Sequence, residues 1–276
     1  MEKHYNIFIF FVMILFVGCN PDLDYEPHGY EQKIIVEGYI ANNEYAKVYL
    51  SLNNPTWRKI DSVSILKSVI RTAKVTVSDG ETTEVLTSSW EHTHFPPYIY
   101  KSTELKGEEG KTYFLKVEYS GHTVTSQTTI PYSTPIESLD ISIPQQDNAA
   151  DTLRTLSATF NIDNSRHCSY RFFCKRIKDT GYYETPFLFN SELNLNGHQT
   201  VTVMSKNSNG LFALGDTVML RFVTIDSTST QFFKDIATGL TQIQSERLNT
   251  LKSNISEPGF GIWCGEGVRN YWVVIF

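Results

Sequence analysis

From Lys33 onward, apolar and polar residues alternate with period two. This is the pattern of strands that bury one face and wet the other. In AKVYLSL, Ala46, Val48, Leu50 and Leu52 face one way and Lys47, Tyr49 and Ser51 the other. TAKVTVSDGETTEVL turns Ala73, Val75 and Val77 inward and then reaches Asp79-Gly80. Glycine tolerates the positive φ of a tight hairpin turn there. In KTYFLKVEYSGHTVTSQTTI, Tyr113, Leu115, Val117 and Tyr119 form one face; the chain turns at Ser120-Gly121 and returns along a threonine-rich strand to Ile130. Strands about ten residues apart, joined by such turns, predict an immunoglobulin-like β-sandwich over 33–133.

PYSTP, Pro131 to Pro135, interrupts the pattern, because proline supplies no N–H to a ladder. It predicts a boundary between two domains. Alternation resumes beyond a polar loop, QQDNAAD, in Leu156, Ala158, Phe160 and Ile162, in Tyr170, Phe172 and Cys174, and in Val218, Leu220, Phe222 and Thr224. One segment differs. In STSTQFFKDIATGLTQI, Phe232, Phe233, Ile236, Leu240 and Ile243 recur at helical spacing. This predicts a helix near 229–243, capped by Ser227 or Ser229, with its apolar stripe facing the core. The closing RNYWVVIF reads as a central or sheet-completing strand. The expected fold is all-β: the N-terminal sandwich, then a second β-rich domain over 134–276 with one short helix.

The start of the chain has its own pattern. An unbroken apolar run from Ile7 to Val17 follows Lys3. As a helix it spans only about 16 Å, against roughly 30 Å of bilayer hydrocarbon. It is therefore read as the apolar core of a signal peptide over 1–18. Gly18-Cys19 closes it as in a bacterial lipoprotein signal, with Phe16 where leucine is usual, so Cys19 is the expected lipidation site; an ordinary secretory leader is the alternative. Asp22, Asp24 and Glu26, set among Pro21 and Pro27, make 19–32 an acidic flexible tether. Acidic residues directly behind the lipidated cysteine resemble the export signal of surface lipoproteins. The expected location is the outer membrane, lipid-anchored and facing the cell surface, with the periplasm-facing leaflet as the alternative.

Composition narrows the function. Net charge is −6, and Lys and Arg are scattered, so nucleic acid is not an expected partner. Beyond Cys19 stand Cys168, Cys174 and Cys264, an odd number and a poor disulfide framework. On one straight strand Cys168 and Cys174 would lie about 20 Å apart, too far to bond. Pairing of either with Cys264 stays open, and buried free thiols are the simplest reading. His92 and His94 in WEHTHFPPYIY are the metal candidates, since residues two apart on a strand share a face. Trp57, Trp90, Tyr98 and Tyr100, with Tyr182 and Tyr183, are the candidate binding aromatics, because exposed rings stack on sugars or fill interface hot spots. The sequence has no GxSxG, HExxH, phosphate-loop or EF-hand pattern, so neither a catalytic residue nor a cofactor is expected.

Several segments together resemble a family of Bacteroidota lipoproteins catalogued as domain-of-unknown-function family 4249. They are the opening KIIVEGYIANN, the hairpin at Val75 to Gly80, and GKTYFLKVEYSGHTVTSQTTIP. The helix after Ile225-Asp226, Asn254-Ile255-Ser256 and the Gly259/Gly261 segment follow in order, with Glu257-Pro258 where the family usually has more glycine. The resemblance implies a lipid-anchored, largely β protein associated with outer-membrane TonB-dependent receptors, and it carries no catalytic residues. The expected role is an accessory or ligand-binding partner of such a transporter. A surface adhesin or structural module is the alternative, and a polymer hydrolase a more distant one.

Overall fold

A computed structural model describes residues 32–54, 62–144, 152–185, 189–190, 197–206, 210–241 and 251–276. The leader, Cys19, nearly all of the tether, Trp57 and Ile243 lie outside them. The first half contains β1 (Ile34–Ala41), β2 (Tyr45–Leu52), helix α1 (Ser62–Lys67), β3 (Lys74–Ser78), β4 (Thr83–Val85), β5 (Thr87–Trp90), β6 (Tyr98–Lys106), β7 (Thr112–Tyr119) and β8 (His122–Thr129). The second contains β9 (Ile136–Ser142), β10 (Leu153–Ile162), β11 (Ser169–Arg176), β12 (Tyr183–Glu184), β13 (Phe189–Asn190), β14 (Gly197–Val203), β15 (Phe212–Ala213) and β16 (Thr217–Ile225), then helix α2 (Ser227–Thr241) and β17 (Gly259–Val274).

These strands build three sheets. Nine join in the order β12-β11-β16-β17-β1-β2-β6-β5, with β13 beside β11. Two four-stranded sheets, β4-β3-β7-β8 and β14-β10-β15 with β9 on β10, cover one face of the large sheet. The turns follow the sequence: Gly80 has φ +93°, and Ser120 and Gly121 both have positive φ, as a two-residue hairpin matched to strand twist requires.

The alternation explains the layering. On β1 and β2, Val36, Ile40, Val48 and Leu50 point into a first core with Val75, Val77, Tyr113, Leu115 and Val117 of the facing sheet. On β11 and β16, Tyr170, Phe172, Leu220 and Phe222 point into a second core, where Phe160 of β10 packs among them at ring separations of 5.1, 5.4 and 4.9 Å from Tyr170, Phe172 and Phe222. The Pro131–Pro135 link separates β8 from β9, but β17 crosses that division. It runs parallel to β1 and antiparallel to β16. Its Trp263 lies in the first core and its Val273 in the second. Where β17 has β1 on one side only, Ser253 and Asn254 bond the backbone of Gly261 and Trp263 from the other side and close the edge.

Helix α2 begins two residues earlier than expected. Its cap is Asp226, whose carboxylate accepts from the Ser229 N–H at 2.7 Å, not Ser227 or Ser229 as the sequence suggested. The carboxylate stands at the one position before the helix that reaches its third N–H. The six-residue α1 carries too few turns to show an apolar period, so the sequence did not reveal it. Phe232, Phe233 and Ile236 pack on the opposite face of the large sheet, over Val223, Ile225, Ile262 and Cys264. Cys168, Cys174 and Cys264 are free and buried. Cys174 and Cys264 sit on opposite faces of the same sheet, and burial pushes the Cys174 thiol up to about 12. Among the described residues no helix is long and apolar enough to cross a membrane.

Candidate functional site

The residues of the large sheet that alternate away from the two cores converge beside α2. From β1 come Glu37, Tyr39 and Ala41; from β2 Tyr45, Lys47 and Tyr49; from β11 Arg171 and Phe173; from β16 Arg221; and from β17 Glu266. His94, from the β5–β6 loop, and Tyr182, from the β11–β12 hairpin, close the ends of a cleft of about 300 Å³. The sheet fixes these side chains because strand neighbours such as Val36, Val48, Phe172, Leu220 and Phe222 point into a core.

The arginines and carboxylates of the cleft are engaged with one another or with neighbouring donors. Arg221 bonds Glu44 and, at 3.0 Å, Glu266. Arg171 grips Glu184 through two bonds of 2.7 and 2.9 Å, and its guanidinium lies over the rings of Phe173 and Phe233 at 4.8 and 4.0 Å. Two parallel N–H···O bonds fix a carboxylate's orientation as well as its charge. Burial works against both guanidinium cations, but the facing carboxylates outweigh it and hold them charged.

At the other end Glu37 is shared. Tyr39 donates to it at 3.0 Å, and His94 Nε2 lies 3.2 Å from the same oxygen. The His94 ring stacks on Tyr49 at 3.7 Å. Its Nδ1 is buried with no hydrogen bond of good geometry, although the Pro96 carbonyl beside it favours the protonated ring. Burial pushes the His94 pKa down, but the Glu37 hydrogen bond and charge outweigh this and raise it. Burial lifts the Tyr39 hydroxyl well above its ordinary value and pushes Tyr49 up to about 12, reinforced by the nearby carboxylates. Both phenols therefore stay protonated donors at neutral pH. The arrangement is an aromatic recess with fixed dipoles, suited to holding a ligand.

Of the residues singled out in the sequence, the cleft takes His94 and Tyr182. His92 is exposed and does not join His94, because residues 91–97 turn and bend and do not extend as the shared-face argument required. Among the described residues no three His, Cys, Asp or Glu side chains converge on a metal-sized site. Trp90, Tyr98 and Tyr100 form an edge-to-face ladder at 5.6 and 5.9 Å along the β5–β6 edge, away from the cleft. Trp90 is exposed, and Tyr100 is a core residue whose hydroxyl donates to the Ile70 carbonyl. Tyr183 packs against the second core. Arg171, Arg221 and Glu266 were missed. Their signal was a charge set among apolar residues of a strand, Arg171 in SYRFF and Arg221 in TVMLRFVTI, since a charge so placed must find a partner.

No curated protein matches the chain significantly in sequence. Among solved structures, two crystal forms of a cytokine receptor complex align at 8% identity over 70% of this chain, covering 85% and 92% of theirs with TM-scores of 0.25 and 0.27. A crystal structure of a titin domain segment aligns at 8% identity over 70% of this chain and 60% of its own, with a TM-score of 0.21. The profile of a domain of unknown function, DUF4249, matches residues 19–269. The match runs from Cys19 through the strands of both cores and most of β17, so the chain belongs to the DUF4249 family.

Proposed function

We propose that the protein is a non-enzymatic lipoprotein of the outer membrane, anchored by lipid on Cys19 and facing the cell surface, that serves as an accessory or ligand-binding partner of a TonB-dependent transporter. The observation that carries this reading is the outer-face cleft, an aromatic recess set on a rigid sheet. Here Glu37 is divided between Tyr39 and His94, and the other carboxylates are tied to guanidinium groups. The apolar leader ending at Gly18-Cys19 supports the anchor. Two or more acyl chains hold firmly where one holds marginally, at about 0.8 kcal/mol per buried CH₂. Confinement to the membrane plane raises effective concentration, so a modest affinity for a neighbouring transporter suffices.

Affinity purification of the full chain from native envelopes tests the role. A TonB-dependent transporter should co-purify, and Cys19→Ser should move the protein out of the membrane fraction. If Cys19→Ser leaves the protein in the envelope pellet, or no transporter is recovered with the anchored chain, the proposal fails.

A further inference from the structure

Three lysines at the β2–β6 end of the cleft have no structural role in the pairing described above. Lys47 and Lys101 stand directly opposite each other in the β2–β6 register, and Lys106 stands opposite Tyr45. Lys47 and Lys101 share the outer face, because Val48 and Tyr100 beside them are buried in the first core. Cβ atoms so placed lie about 5 Å apart, and like charges there are destabilising. The Lys101 and Lys106 ammonium groups lie over the Tyr45 ring, 5.6 and 4.9 Å from its centroid. Among the described residues none of the three forms an ion pair, whereas Glu44 and Glu266 are held by Arg221 and Glu37 by His94 and Tyr39. Glu91 of the β5–β6 loop accepts two bonds from Thr93 on one oxygen and feels the charge of Lys47 without forming an ion pair with it. In a chain of net charge −6, unpaired amines have been gathered on one aromatic platform at a standing electrostatic cost.

An occupant that relieves that cost must be anionic. Its charge must also be spread out, because the amines come from three positions on two strands, Lys47 opposite Lys101 and Lys106 opposite Tyr45. A compact anion is better met by an arginine fork, and both forks in the cleft hold carboxylates. Tyr45, Tyr49 and Tyr182 offer rings against which the C–H face of a sugar can stack. We propose that the cleft and its lysine rim bind an anionic saccharide, whose ring lies among the tyrosines and whose carboxylate or sulfate groups meet Lys47, Lys101 and Lys106. This rests on the reading of the cleft as a ligand site.

Calorimetric titration of the full chain in detergent micelles tests it, using a galacturonate hexamer (carboxylate only), a κ-carrageenan hexasaccharide (sulfate only) and neutral maltohexaose. At least one anionic oligomer should bind, and whichever binds identifies carboxylate or sulfate as the source of charge. Affinity should fall at least tenfold between 0.01 and 0.15 M salt, as the screening length shrinks from about 30 to about 8 Å. The triple variant Lys47→Gln, Lys101→Gln, Lys106→Gln should lose at least tenfold in affinity while its melting temperature holds or rises. The corresponding triple arginine variant should keep binding. Unchanged affinity in the glutamine variant, or maltohexaose binding as tightly as the anionic oligomers, overturns the proposal. Neutral binding lost in Tyr49→Ala would remove the anionic class yet keep the cleft as a ligand site. If no oligomer binds but a transporter still co-purifies, the ligand class falls and the anchored role stands.

Discussion

On one face of the nine-stranded sheet, Trp263, Tyr170, Phe172 and Phe222 lie under two smaller sheets; on the other, Arg171, Arg221, Glu37 and Glu266 meet in an open cleft beside a single helix. The two faces come from the same strands, one residue out of phase. The covered face gains stability from apolar area removed from water, at roughly 25 cal/mol per Å². The cleft face gains little net stability from its ion pairs, because each pair repays the cost of desolvating its own charges. It gains position: side chains held by neighbours that cannot move without opening a core. One face therefore holds the fold together and the other is free to carry function.

The largest expected effect compares two tryptophans on β17. Trp263 is fully buried and donates its indole N–H to the Tyr113 carbonyl at 3.0 Å, whereas Trp272 is 64% exposed on the opposite face. Trp263→Ala should cost about 4 kcal/mol in urea denaturation, and Trp272→Ala should stay within about 0.5 kcal/mol. Equal costs would break the distinction between the faces.

Arg221→Met comes next. It leaves Glu44 and Glu266 facing each other without a cation, and should cost about 2 kcal/mol, less than a fully buried pair because the cleft is open to water. The double variant with Glu266→Gln should recover part of the loss.

Gly38→Ala probes the covered face more gently. Gly38 lies opposite Trp263, and a Cβ there would stand 2.6 Å from the indole ring. The indole must shift, at about 1–2 kcal/mol. The loss should show in denaturation with the cleft's ligand affinity unchanged.

The smallest effect is in pH. The His94 pKa is raised in the folded state above its ordinary 6.5, so the Glu37 pair contributes fully below pH 6.5 and is lost as pH rises through the raised value. Both partners are partly exposed, so the change should stay below about 1 kcal/mol. Melting curves across this range should show it in the parent and not in His94→Gln, which sharpens the view that the cleft contributes position more than stability.

Much of the fold was legible because strand alternation and turn chemistry are local. Val48 faces a core and Tyr49 does not for reasons contained in a few neighbouring residues, and Asp79-Gly80 and Ser120-Gly121 announce their turns. The helix was visible from its spacing, although its cap was misplaced by a few residues among several competent capping side chains. The cleft was not legible. Arg221 finds Glu44 across 177 positions and Glu266 across 45, and a lone arginine in an apolar strand says only that a partner exists. The loop at 91–97 sends His94 to Glu37 and leaves His92 in solvent, which two histidines in a sequence cannot reveal.

Taken alone, the sequence determined which residues of each strand seek water and which avoid it, where the chain turns, and the apolar run from Ile7 to Val17 ahead of Cys19. Only the tertiary structure decided that the last strand lies parallel to the first and passes through both cores, and therefore which wet residues meet. Side-chain alternation is set by backbone geometry over two residues, whereas strand neighbours are chosen by the burial of whole faces, a cooperative quantity that belongs to the folded chain.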